Sequence, residues 1–452
     1  MSNTFKLKDT WIGVCLFISF LINFIFFTVY SPINFTVLLV SQFFITFWLS
    51  ANLTSKGFAK FLIFVLVLFP KKNLGEDVAN KFLLERMHLV DGVAWIYFDN
   101  ILLPILTASW ILVKASKVEH LVIPSLMLIL AALGLFSLNL FYPVRLTFWE
   151  YIPNLNILLF AMIFIHRRDF ESLKYFFMNC VILLLILFCL EIVLVSFGIL
   201  PFSLSYDWRE GFRSLFIGFA VQVGFWLMIA TFSTLYLFLK KNSIVFLVLF
   251  ILSVALQFLT FDRGNLYLSF LLIIILGLKY RFKAMILVLL IILCFSPYLF
   301  FLLKGSKMYE IKSNIDESGI IGTNSAFDRF EIQLNYIKSI CNNFGLPSGV
   351  ETNRIRYQYT DYSKLFFPNI EINQGSHSLF ITSIFEYGVV LVLFCFIMVW
   401  YFIKKLNVAF EGYLLCVILL FFWSFQSTPS YLFLFPMVIT LWSTSGLKKT
   451  KY

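Results

Sequence analysis

The sequence predicts an all-α, polytopic integral membrane protein of about fourteen transmembrane helices with one large outward loop. Three observations lead there. Hydrophobic residues make up 61% of the 452 and charged residues only 13%, a balance that excludes a soluble globular domain. Apolar segments run almost without pause from Trp11 to Leu303. Many of them reach the ~20 residues that a bilayer crossing needs. They lack the alternation of barrel strands, and a backbone in lipid must satisfy its polar groups locally, so helices are expected.

In chain order, Trp11–Tyr30 leaves the starting side, Ser31-Pro32 turns, and Asn34–Leu49 returns to Lys56 and Lys60. Gly57–Phe69 crosses as a short span. Lys71–Asp91 mixes Lys, Glu and Leu at helical spacing and reads as a helix lying in the interface. Val93–Val113 returns to Lys114 and Lys117. Leu121–Tyr142 leaves for a loop with Arg145 and Glu150, and Asn154–Ile165 returns to His166-Arg167-Arg168. Phe176–Phe202 leaves for the segment Asp207 to Arg213, and Leu215–Leu239 returns to Lys240-Lys241. Ser243–Phe261 leaves for Asp262-Arg263-Gly264, and Leu266–Leu278 returns to Lys279-Tyr280-Arg281. Ala284–Leu303 leaves for about seventy mostly polar residues, Lys304 to Ser376, that end at His377. Ser378–Ile403 returns, Tyr413–Trp423 leaves, and Leu432–Trp442 returns to a basic tail.

The organisation is then residues 1–303 with helices 1–11, residues 304–377 as a large, partly helical loop, and residues 378–452 with helices 12–14 and the tail. The net charge of +11 sits in short clusters between apolar runs, as membrane anchors do, and not in a face for nucleic acid. This alternation puts nearly every Lys/Arg cluster on one side, Lys71-Lys72 excepted. That side is expected to be cytoplasmic and the large loop to face outward, which in a Gram-negative cell is the periplasm. Six of the seven cysteines lie in apolar segments, so neither a disulfide framework nor a zinc motif is expected. The four histidines are too scattered for a metal site, and no cofactor is expected.

The outward positions carry the chemistry. Arg209 and Arg213 lie four apart, on one face if that segment is helical. Arg263 sits in a short turn between two spans, and His377 stands where the large loop meets the next helix. Arg329, the turn Gly345 to Gly349, and Arg145 are supporting elements. Each has a bland reading, since arginines at a membrane edge snorkel to headgroups. Interfacial histidines such as His88, His120 and His166 are common as well. As a set they suit a diphosphate whose lipid tail stays in the bilayer, because guanidinium groups bind phosphate oxygens bidentately. An imidazole is poised to take a proton from a sugar hydroxyl. Glu386 lies nine residues after His377, about half a turn out of phase on a regular helix, so it reads as support first and catalyst second.

The order of these elements resembles the O-antigen polymerase and O-antigen ligase superfamily. The matching pieces are Arg209-Glu210-Gly211-Phe212, Phe261-Asp262-Arg263-Gly264 and Phe327-Asp328-Arg329-Phe330. Gly345-Leu346-Pro347-Ser348-Gly349, Ser376-His377-Ser378-Leu379 and Glu386-Tyr387-Gly388 follow, so the resemblance covers roughly residues 200–395. It implies a metal-independent, inverting glycosyltransferase of the bacterial inner membrane, its active site facing the periplasm. The donor would be an oligosaccharide on undecaprenyl diphosphate, held by Arg209 or Arg213 and Arg263, with His377 orienting or deprotonating the acceptor hydroxyl. Ser378 stands where the ligase pattern commonly has Asn, and Asp262 where a small residue is usual, which places the polymerase branch ahead.

The expected function is therefore polymerisation of lipid-linked repeat units of O-antigen or a related surface polysaccharide. Its partners would be the lipid-linked oligosaccharide, membrane lipids and a chain-length regulator. The alternatives are a ligase that transfers polymer to lipid A core and, from another class, a lipid-linked oligosaccharide flippase.

Overall fold

The computed structural model describes residues 55–68, 170–199, 206–207, 211–212, 214, 220–260, 263–280, 325–346, 378–390, 407–425 and 434–443, with helical positions 392–393, 396–397, 400 and 404. These residues are mostly helical, with one small hairpin and an isolated bridge between Val408 and Ser443. The helices are α1 (Ser55–Leu68), α2 (Phe170–Ser196), α3 (Ala220–Lys241), α4 (Ile244–Leu259), α5 (Arg263–Tyr280), α6 (Ser325–Asn342), α7 (Leu379–Tyr387), α8 (Phe410–Phe425) and α9 (Leu434–Leu441). Strands β1 (Tyr206–Asp207) and β2 (Gly211–Phe212) pair antiparallel between α2 and α3.

Among the described residues, two segments are long and apolar enough to cross a membrane: Glu171–Ser196, with mean hydropathy 2.9, and Val221–Lys241, with 1.6. Ile244–Leu259, Gly264–Tyr280 and Phe410–Ser424 are shorter apolar helices. The expected spans Gly57–Phe69, Leu215–Leu239, Ser243–Phe261, Tyr413–Trp423 and Leu432–Trp442 each coincide with a helix, with ends displaced by a few residues. α2 starts earlier than expected, because Phe170 to Tyr175 continues the helix on the polar side of the apolar run. The expected spans before Gly57, from Val93 to Ile165 and from Ala284 to Leu303 lie outside the described residues, as does the interfacial Lys71–Asp91.

α3 is the centre. It packs against α2, α4 and α5, and most of its length is buried, as is half of α2. α8 joins α5 to α9, and α9 returns to α2. Aromatic rings close these contacts. Trp442, just past α9, meets Phe177 of α2 edge-on at 6.3 Å and Phe232 of α3 at 5.5 Å. Phe225 of α3 lies 4.5 Å from Phe422 of α8. α8 and the end of α9 approach closely at Gly412, where an added Cβ would stand 2.5 Å from Cβ of Trp442 and 2.6 Å from Cγ1 of Val408.

Polar side chains lock the three central helices. The Gln257 amide of α4 donates to Ser269 Oγ of α5 at 2.7 Å and to Thr231 Oγ1 of α3 at 3.4 Å. Thr231 Oγ1 also shares a proton with Ser253 Oγ at 3.0 Å. All four residues are buried. Hydroxyls and amides among apolar helices cost little only where they pair, so this cluster selects one register for α3, α4 and α5.

The expected single span Ser378–Ile403 is corrected by the structure. α7 has nine residues and ends at Gly388, with φ 82° and ψ 157°. Beyond it Val392 donates to the Gly388 carbonyl, so helix resumes. Phe380 and Phe396 are sixteen positions apart, which a straight helix would spread over about 24 Å. Their ring centroids are 5.6 Å apart. The chain therefore doubles back, and α7 is a short, folded-back helix far below the ~30 Å of a bilayer core. The reason is local: Gly388 occupies a backbone region closed to residues with a Cβ.

The polar segment 304–377 contributes α6, which packs on α7 through Tyr336 and Phe385, 5.2 Å apart and edge-on. Val389, just past Gly388, donates its N–H to the Gly345 carbonyl at 3.0 Å. Gly345 has φ +70°, and a Cβ there would stand 2.9 Å from Val389 Cγ2. Gly388→Ala is expected to destabilise the protein by about 1–3 kcal/mol, the cost of holding a Cβ in that backbone region. The check is thermal unfolding of the detergent-solubilised full chain, and an unchanged midpoint would show that the reversal is not fixed there.

Candidate functional site

One end of the bundle holds the head of α5 and the hairpin, two of the segments that the sequence singled out. Asn265, in the first turn of α5, donates from Nδ2 to the Val221 carbonyl at the start of α3, at 3.1 Å. The N-terminal ends of α3 and α5 are therefore side by side. α4 ends next to them at Thr260, whose hydroxyl donates to the Gln257 carbonyl. The hairpin docks at the same end, since β2 packs on α3. Its Phe212 is buried edge-on against Phe188 of α2, 6.3 Å between ring centroids.

Arg263 belongs to this end, but not as a turn residue. It is the first residue of α5. A cation there opposes the helix dipole, at a typical cost of 0.3–1 kcal/mol. Its placement therefore owes nothing to helix stability. A helix N-terminus of this kind favours anions, since its first-turn N–H groups have no partner within the helix.

Arg209 and Arg213 lie outside the described residues, but the residues around them are fixed. Asp207 pairs with Gly211 and Tyr206 with Phe212 across the hairpin. The expected common helical face of Arg209 and Arg213 thus falls outside the described residues, and its neighbours pair as a hairpin. Sequence puts Arg209 in the connection between β1 and β2. It puts Arg213 between Phe212 and Ser214, both buried.

Ser214 reveals a residue that the sequence reading passed over. Its hydroxyl donates to Oε2 of Glu191 at 2.9 Å, and Glu191 on α2 is 0% exposed. A carboxylate so deep in an apolar helix needs partners. It lies three residues from Phe188, so one face of α2 holds both Phe212 and Ser214. The signal was present in the sequence as an acidic residue inside a 27-residue apolar helix, the kind of position that merits a functional reading by default. Gln257 was missed in the same way.

The other expected site residues divide as follows. His377 and Arg145 lie outside the described residues. Ser378, next after His377, caps α7, its hydroxyl accepting from the Ile381 N–H at 3.4 Å. The helix thus begins after His377, and the helical phase between His377 and Glu386 loses its basis. Glu386 itself is half-buried on α7, beside the buried Phe385. Arg329 is on α6, in its first half. Among the described residues, no three of His, Cys, Asp and Glu gather closely enough to hold a metal ion.

In comparisons with known proteins, the chain matches no family model, no curated protein and no solved structure.

Ser214→Ala is expected to destabilise the full chain by about 1.5–3 kcal/mol, the range for a hydrogen bond to a charged group. It is also expected to expose the hairpin to protease ahead of the helices. Unfolding and limited proteolysis in detergent check both, and a hairpin equally protected in the variant would remove the anchoring role.

Proposed function

We infer that this protein is a polytopic inner-membrane glycosyltransferase that polymerises lipid-linked repeat units of a surface polysaccharide at the periplasmic face. The observation that supports this reading is that α5, headed by Arg263, begins beside the start of α3, the helix on which β2 of the hairpin packs. The order of motifs in the sequence agrees with it.

In the proposed reaction the donor is the growing chain on undecaprenyl diphosphate. Arg263, with Arg209 or Arg213, holds the diphosphate through charge-assisted hydrogen bonds, helped by the N-terminal N–H groups of α5. The hydroxyl oxygen at the non-reducing end of the acceptor repeat attacks the anomeric carbon. His377 takes the hydroxyl proton. The bond from anomeric carbon to diphosphate oxygen breaks with inversion, and undecaprenyl diphosphate departs as an anion stabilised by the guanidinium groups. No metal or cofactor is needed in this scheme.

The ligase remains the second reading for a specific reason. Ser378 departs from the usual Asn of that branch, yet its role here is to cap α7, which Asn performs equally well. That departure therefore weighs little. The flippase draws on Glu191, a charge within a span. Its carboxylate is fully buried and bound to Ser214, so it serves as an anchor and does not line an open path.

Purified protein in detergent, given lipid-diphosphate-linked repeat units, is expected to lengthen the chains. Folded protein that leaves them at one repeat would refute the polymerase. Arg263→Ala is expected to abolish lengthening and Arg263→Lys to fail as well, since an ammonium cannot make the bidentate contact. Wild-type product lengths from either variant would take Arg263 out of the site. His377→Ala is expected to slow the reaction by about 10²–10⁴, measured as initial rate under saturating acceptor. A rate within a few-fold of wild type would deny the histidine a proton-transfer role.

A further inference from the structure

The opposite end of the bundle holds a group of cations for which the reaction has no use. Lys174 lies early in α2, and Lys240 and Lys241 end α3. All three ammonium groups surround one phenol ring. They lie 5.8, 5.3 and 5.5 Å from the Tyr175 centroid, respectively. Lys174 and Lys240 also face the Tyr236 ring, at 5.8 and 6.0 Å. Ammonium groups gathered this closely repel one another by on the order of 1 kcal/mol per pair at a protein edge.

Compensation for this charge is incomplete. Glu171 Oε1 stands 3.8 Å from Lys240 Nζ, but its side chain is 71% exposed. The C-terminus of α3 favours Lys240 and Lys241, whereas Lys174 is half-buried near the N-terminus of α2, where the dipole opposes it. A further carboxylate, Glu411, is already matched by Lys279 at 4.0 Å. Among the described residues, three lysines against one exposed carboxylate leave a cradle with a net charge of about +2, floored by two aromatic faces.

What lies beside the cradle distinguishes a lipid from a free anion. Lys241 also covers the Phe246 ring at 5.4 Å, at the start of α4. On that helix Ile244, Val245 and Val248 are 68%, 59% and 57% exposed. Positive charge thus adjoins bare apolar surface, at the level where the two longest apolar helices end. A ligand with a phosphate head and acyl tails fits both parts at once.

We propose that Lys174, Lys240 and Lys241, with Tyr175 and Tyr236, form a binding site for the phosphate headgroup of an anionic phospholipid, whose acyl chains lie along α4. The site stands apart from the proposed reaction and does not depend on it.

The test titrates phosphatidylglycerol into the detergent-solubilised full chain, read by native mass spectrometry and thermal stability. Phosphatidylcholine of the same acyl chains and inorganic phosphate are the parallel arms. Phosphatidylglycerol is expected to bind and stabilise, and the other two are not. The variant K174Q/K240Q/K241Q is expected to bind on the order of 100-fold more weakly, from roughly fivefold for each of the three lost cations. Glu171→Gln removes the competing anion and is expected to tighten binding several-fold, a gain that misfolding does not produce. Equal response to phosphatidylcholine, an equal effect of inorganic phosphate, or unaltered binding in both variants would each overturn the proposal.

Discussion

The amide of Gln257, held between Ser269 and Thr231, is the interaction on which the rest depends. Apolar helices in an apolar surrounding have little reason to choose one register over another, because dispersion contacts are similar after a one-turn slip. A buried amide and three hydroxyls remove that freedom. Only one alignment of α3, α4 and α5 lets them pair. That alignment brings the head of α5 beside the head of α3, where Asn265 reaches the Val221 carbonyl. The place of the head of α5, where Arg263 stands, thus follows from polar contacts inside the bundle.

The two ends of the bundle treat positive charge in opposite ways. Lys240 and Lys241 close α3 where the helix dipole welcomes cations, and aromatic faces receive them. Arg263 opens α5 where the dipole opposes a cation. The first arrangement suits anchoring and the second suits an anion not belonging to the protein. Phe212 and Ser214, on either side of position 213, are tied to Phe188 and Glu191 of α2.

The folded-back α7 links the third polar element to the bundle. Its reversal at Gly388 brings Val389 against Gly345, so the turn after α6 and the turn after α7 share a hydrogen bond. A segment that composition marks as polar thereby gains a packed partner in Phe385. Ser378 fixes where α7 starts, immediately after His377, which sets the histidine at a helix entrance rather than within a span.

Sequence by itself determined the helical class, the positions of α1, α3, α4, α8 and α9, and the lysine pair that closes α3, because continuous apolar runs and their charged ends are local properties. Arg263 and Ser378 were also legible as junction residues, though the first was expected in a turn and heads a helix instead. Tertiary structure alone decided the rest. The pairing of Asp207 with Gly211 and of Tyr206 with Phe212 in a hairpin is a contact that no residue pattern announces. Glu191 and Gln257 looked like polar interruptions of apolar helices until their partners, 23 and 12 residues away, came within hydrogen-bond distance. The span Ser378–Ile403 read as continuous because one glycine does not break hydropathy. Its reversal depends on a positive φ at Gly388 and on what packs against both arms, and those are facts of three-dimensional contact.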